Sequence, residues 1–127
     1  PDIIHLHGWF TALFPLYLKS YFSDEPLFSE SKIISSIYEP NFEGTISNKF
    51  YEKVVFDKIE KQHLEDLKQA NFEALSKIAA THSDGIIMAS ENLPDSVIKN
   101  IKDIKKPHLD FSQSKDEETY IEFYNKF

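Results

Sequence analysis

Cysteine and arginine are both missing from the 127 residues, and glycine occurs only three times. Without cysteine there is no disulfide, no thiol nucleophile and no Cys-ligated zinc. Three glycines are too few for either common Gly-rich phosphate loop, and no motif asks for a cofactor. Basic charge is short as well, with 14 lysines against 21 acidic residues and a net charge of −7. Nucleic acids and anionic membrane surfaces both need a basic face, so neither is an expected partner. No apolar run approaches the ~20 residues of a spanning helix. What is present suffices for one core: 41% of residues are hydrophobic and 14% aromatic, in a length usual for a single domain of ~100–150 residues. The lack of cysteine fits the expectation of a cytoplasmic chain, and Pro1, leading straight into a strand pattern with no initiator Met or charged leader, is read as the start of a fragment. The expected unit, residues 1–127, is a partial Rossmann-like domain whose N-terminal strands are missing.

Strand-like and helical patterns alternate along the chain. Ile3, Ile4 and Leu6 form a short apolar run, the mark of a strand buried in a parallel sheet. Phe10, Leu13, Phe14, Tyr17, Leu18 and Tyr21 then recur at helical spacing, which predicts one inward face, with Pro15 in the first turn. Ile33, Ile34 and Ile37 mark a second strand. Residues 48–59 read as a helix, and 60–69 as a short surface helix anchored by Leu64 and Leu67. Asn71 is placed to cap a helix carrying Phe72, Leu75, Ile78, Ala79 and His82. Gly85 to Ala89 is a third strand. Asn92 is expected to cap a helix with Val97, Ile98, Ile101 and Ile104 as its stripe, ended by Lys105, Lys106 and Pro107. His108 to Phe111 is a fourth strand, and Ser114 to Glu117 reads as a capping box before a helix with Tyr120, Phe123, Tyr124 and Phe127. The alternation predicts an α/β fold, a Rossmann-like parallel sheet with helices on both faces.

In such sheets ligands sit beyond the carboxyl ends of the strands. That rule nominates His7, Gly8, Trp9, Tyr38, Glu39 and Ser90 as site residues, with Glu91 and Ser112 as further strand-end positions. His5 and His7 lie two apart on a strand and face the same side. They are either half a metal site or one packed histidine and one at the strand tip. Gly8 offers close backbone approach or a plain turn; Trp9 offers a sugar-stacking surface or a packing wedge. Glu39 is either a hydroxyl ligand or a solvated carboxylate. His63 and His108 have no constellation around them, and no Gly-flanked serine elbow exists. Composition and spacing stop at a parallel α/β domain with a polar strand-end rim.

Residues 2–18, Asp-Ile-Ile-His-Leu-His-Gly-Trp-Phe-Thr-Ala-Leu-Phe-Pro-Leu-Tyr-Leu, resemble the bacterial glycogen and starch synthases. Those carry a strand ending His-x-His-Asp-Trp, then a helix with a Leu, a Pro and a Tyr-Leu pair. Asp2, His5, His7, Trp9, Leu13, Pro15, Tyr17 and Leu18 all fit. A second stretch, Ser83-Asp84-Gly85-Ile86-Ile87-Met88-Ala89-Ser90, is similar to the family's Ala-Asp-x-Val-x-x-Val-Ser strand. The resemblance covers about Pro1 to Ser90.

The resemblance implies a GT-B glycosyltransferase with two Rossmann-like domains and the active site between them. This chain would be the later half of the N-terminal, acceptor-side domain. An α-glucan and ADP-glucose would be the substrates. His7 would fall on the active-site histidine that contacts the transferred glucosyl unit, with Trp9, Gly8, Tyr38, Glu39 and Ser90 around it. Three departures stand out. The family's Asp after that histidine is Gly8. Its Thr-Val-His-Asn motif aligns with Ser36-Ile37-Tyr38-Glu39. Its Lys-x-Gly-Gly donor loop has no counterpart. The expectation is therefore a synthase-related chain that is inactive alone and pairs with a missing N-terminal segment or a second copy. A non-catalytic carbohydrate-binding or scaffold domain is the alternative, and a flavodoxin-like signalling domain a further one.

Overall fold

The computed structural model describes residues 1–47, 49–55, 59 and 61–127, with the backbone alone at 62 and 63. Four strands, β1 (Ile3–His7), β2 (Lys32–Ile37), β3 (Gly85–Met88) and β4 (His108–Leu109), form one sheet in that spatial order. Every pairing is parallel, as the apolar runs and intervening helices require. In register, Ile4 meets Ile33 and His7 meets Ser36, while Ser36 meets Ile87.

Alternation along the strands splits the core between two faces. On one, Ile37, Ile86 and Met88 pack against Phe72 and Ala80 of α3 (Phe72–His82) and Val97 and Ile101 of α4 (Asp95–Asp103). Behind α3, Leu75, Ile78 and Ala79 meet Leu16 of α1 (Phe14–Ser20), Val54 of α2 (Phe50–Val54), and Leu64 and Leu67. On the opposite face Ile34, Ile87 and Leu109 pack against Phe123 of α5 (Glu117–Tyr124). Helices therefore cover both faces, as expected.

Local details depart from the sequence reading in three places. The expected stripe after β1 does not form one face. Gly8 turns the chain at φ 80° into a 3-10 turn, Trp9–Thr11, and α1 starts only at Phe14 with Pro15 in its first turn. A tighter turn shifts the helical phase. Ala12, Pro15 and Leu16 go inward, while Phe10 is 72% and Phe14 52% exposed. The expected surface helix near Leu64 is instead a 3-10 helix, Lys61–Gln69, and Leu64 and Leu67 are completely buried. Their spacing of three matches its repeat, and burying each contributes ~1.5–3 kcal/mol before entropy is subtracted. Of the helix expected over 48–59, α2 is the described part; 48 and 56–58 lie outside the described residues, as does the side chain of His63.

Two of the three expected caps also move. Asn71 caps α3, its Oδ1 accepting from the Ala74 N–H at 2.8 Å. Asn92 does not cap α4, which opens at Pro94. Asp116, not Ser114, caps α5, accepting from the Glu118 N–H. The Ser114 hydroxyl donates to the Met88 and Phe111 carbonyls. A hydroxyl near a strand end found backbone acceptors there, so the next acidic residue took the helix N-terminus.

Candidate functional site

The β1 and β2 tips and the loops after them enclose a pocket of about 240 Å³, lined by His7, Gly8, Trp9, Phe10, Tyr38, Glu39 and Asn41. Five of the six nominated site residues meet there. Ser90 follows β3 and is not part of the lining.

His7 ends β1 and is exposed. Its Nδ1 lies 3.0 Å from the Tyr38 hydroxyl, one strand over. Beneath it the His5 ring stacks at 4.1 Å between centroids and 29° between planes, as two same-side positions on a strand dictate. Both His5 ring nitrogens are engaged: Nδ1 is 2.7 Å from the Tyr124 hydroxyl of α5, and Nε2 is 2.7 Å from the Ser36 hydroxyl. A neutral imidazole has one donor and one acceptor nitrogen, and each hydroxyl can answer either. Burial, reinforced by His7 alongside, lowers the His5 pKa from 6.5 to about 4. His5 is thus a neutral strut between sheet and α5. The half-metal-site reading fails on geometry, because the two rings stack instead of converging. Among the described residues no group of three or more His, Asp or Glu stands ready to hold a metal.

Gly8 has φ 80° and ψ 167°, a region open essentially to glycine alone. A Cβ there would also lie 3.0 Å from the Phe10 ring. The conformation bends the chain off the strand, and Phe10 joins the pocket lining. Trp9 is a packing wedge that also lines the pocket. It packs against Phe42 with centroids 4.7 Å apart and touches both clusters on the α3 face. Its Nε1–H donates to Asn41 Oδ1 at 2.7 Å, and it still lines the pocket. Glu39 accepts from Asn92 Nδ2 at 3.3 Å and, among the described residues, is the only formally charged one in the lining. Phe10 and Asn41 escaped the sequence reading. Phe10 was hidden by the assumption of one continuous helix, whereas Asn41 sits right after Pro40 in a loop, where such residues are common.

The second motif is structural. Burial works to raise the Asp84 pKa, but the Ile33 N–H at 2.8 Å and the Lys19 ammonium at 2.9 Å outweigh it and hold the carboxyl below its ordinary value. Ser83 donates to the Ala79 carbonyl and shares a 2.7 Å bond with Ser35. Together they lock α1, α3 and the β2 and β3 starts at the end opposite the pocket.

Chemically, the pocket offers aromatic faces, one imidazole, a phenol, an amide and a carboxylate. That set suits a neutral polyhydroxy ligand. Among the described residues it has no Lys or Arg for a phosphate, and its volume falls below the ~300–1,000 Å³ of small-molecule sites.

Residues 1–105 match the family model described as "Starch synthase catalytic domain", which reaches past β3 through α4. The chain is similar to the glycogen synthase of Thermotoga petrophila, 38% identical over 50 residues, 39% of this chain and 10% of that protein. It is similar to the glycogen synthase of Chlorobium limicola, 26% identical over 108 residues, 81% of this chain and 20% of that protein. The glycogen synthase of Fervidobacterium nodosum is 42% identical over 43 residues, 34% of this chain and 9% of that protein. The chain thus spans at most about a fifth of the length of these relatives. No solved structure matches it significantly.

Proposed function

The chain belongs to the starch synthase catalytic domain family, and from that premise we propose that it is part of the acceptor-side domain of an ADP-glucose-dependent α-1,4-glucan glucosyltransferase. The observation that carries the reading is the pocket at the β1 and β2 tips, where His7 and Trp9 of the family-like strand meet Tyr38 and Glu39. His7 is the proposed catalytic contact to the glucosyl unit. Trp9 is the proposed stacking surface, Gly8, Tyr38 and Glu39 complete the proposed acceptor rim in the pocket, and Ser90, outside the lining after β3, is proposed to extend it. An imidazole at a strand tip can hydrogen-bond a sugar hydroxyl, and an aromatic face matches the apolar face of a pyranose.

This chain alone is proposed to be inactive. Transfer from a nucleotide sugar builds negative charge on the leaving diphosphate, which Arg and Lys donors normally neutralise. The chain has no Arg, no Lys lines the pocket among the described residues, and Glu39 contributes a formal negative charge at the rim. General acid–base help from one histidine is worth ~10²–10⁴-fold and does not replace a donor site. The missing parts are proposed to come from another segment of the same protein or a second copy, in a cytoplasmic setting. Among the described residues no helix is long and apolar enough to cross a membrane. A non-catalytic carbohydrate-binding role is the second reading, favoured by Gly8, Tyr38 and Glu39 standing where the family has Asp, His and Asn.

Incubation with radiolabelled ADP-glucose and glycogen separates the readings. No incorporation is expected from the chain alone, together with weak malto-oligosaccharide binding that is lost in Trp9→Ala. Incorporation that vanishes in His7→Ala would overturn the inactivity. Absence of any malto-oligosaccharide binding would overturn the acceptor-site reading.

A further inference from the structure

His7 is held on two sides. The Tyr38 hydroxyl sits 3.0 Å from its Nδ1, and the Tyr38 ring is 6.1 Å from the imidazole, centroid to centroid. The His5 ring stacks against its face, and His5 is itself pinned at both nitrogens by Ser36 and Tyr124. Strand register explains the pairing: His7 lies opposite Ser36, so Tyr38, two residues on, emerges on the same face of the sheet. A phenol is the stronger donor of the pair, so its O–H points at Nδ1 and the ring proton resides on Nε2. Nε2 is then the one ring nitrogen left to meet a ligand in the pocket that both residues line.

We propose that Tyr38 is a positioning residue for His7: by occupying Nδ1 above the stacked His5 ring, it fixes both the tautomer and the plane of the imidazole, so that His7 presents Nε2–H to a ligand oxygen. The role of that donor, gripping a sugar hydroxyl oxygen, rests on the acceptor-site reading above; the fixing of the ring does not. The proposal also gives a physical account of Tyr38 at the position where the family has a histidine. A phenol reaches Nδ1 and orders His7 through its hydroxyl.

The test is a two-bond ¹H–¹⁵N spectrum of the histidine rings in the 127-residue chain, with and without Tyr38→Phe. Tyr38 is 41% exposed, so the loss of one hydroxyl leaves the fold intact. In the parent chain His7 is expected as a single Nε2–H tautomer with its Nδ1 resonance shifted by an accepted hydrogen bond. In Tyr38→Phe that resonance is expected to move toward the position of an unbonded nitrogen, and the ring to lose order. His5 signals should stay in place. A maltoheptaose titration run in parallel is expected to show about 3- to 10-fold weaker binding in Tyr38→Phe, an amount typical of one lost hydrogen bond. Tyr38→Phe combined with His7→Ala should bind no more weakly than His7→Ala alone. Unchanged His7 nitrogen shifts in Tyr38→Phe would overturn the positioning role. Changed shifts with no maltoheptaose binding in the parent chain would uphold the positioning role and overturn the acceptor-site reading instead.

Discussion

Gly8 and His5 carry the most information per residue. The family resemblance sets Gly8 against an Asp, yet its backbone, at φ 80° and ψ 167°, excludes an ordinary side chain. Restoring the family residue with Gly8→Asp is therefore expected to destabilise the chain by about 1–3 kcal/mol, read as a lower denaturant midpoint with an unchanged slope. A midpoint equal to the parent's would show that the turn relaxes freely. His5 predicts a pH dependence. Its pKa is about 4 when folded and 6.5 otherwise. Between those values the unfolded chain takes up a proton that the folded chain refuses, so stability falls as pH drops through that window. Allowing for its partial exposure, the loss is on the order of 1–2 kcal/mol. Thermal melts from pH 7 to pH 4 should show it, and His5→Gln should flatten the slope. An identical slope in that variant would assign the effect to other groups.

Helix ends show how an element depends on its neighbours. Lys105 and Lys106 read as the positive end of their own helix. Lys105 instead takes a left-handed turn, φ 58°, just past α4. Lys106 reaches back to α3, donating to the carbonyls of Ala80, Thr81 and Ser83. These are orphan acceptors at the end of that helix, where positive charge is also favoured. Burial lowers the Lys106 pKa, so the ammonium is retained at some cost. Lys106→Met keeps the aliphatic stem and removes the donors. It is expected to lower stability by about 1–2 kcal/mol and to raise amide exchange selectively in the last turn of α3. Uniform exchange across all helices would count against the cap.

At the scale of the whole molecule the surface is uneven. Between residues 10 and 27, Phe10, Phe14, Tyr21, Phe22 and Leu27 are exposed, Leu27 by 65%. Among the described residues β1 pairs with β2 on one side only, and a strand edge of that kind invites further pairing. Apolar side chains concentrated in one stretch are a signature of contact surfaces. The chain is accordingly expected to associate as concentration rises, seen by light scattering, and Phe14→Glu with Leu27→Glu should return it toward the mass of one chain. A single-chain mass for the parent at all concentrations would sink this expectation.

The strands, their parallel pairing and the two-faced helical cover followed from local pattern, because a buried strand needs a continuous apolar run and each helix must turn an apolar stripe inward. His7, Trp9, Tyr38 and Glu39 were also legible, since a parallel sheet places its ligands at strand tips. Pattern could not reveal what depends on partners distant in the chain. The His5 bond to Tyr124 spans 119 positions, and the Lys106 cap ties the segment between α4 and β4 to the end of α3. Nor could it reveal Phe10 in the pocket lining, because a single positive φ at Gly8 resets the phase of everything after it. Periodicity reports which face an element buries; only the packed chain decides which hydroxyl meets which imidazole, because those contacts are set by strand register and by where the last helix docks.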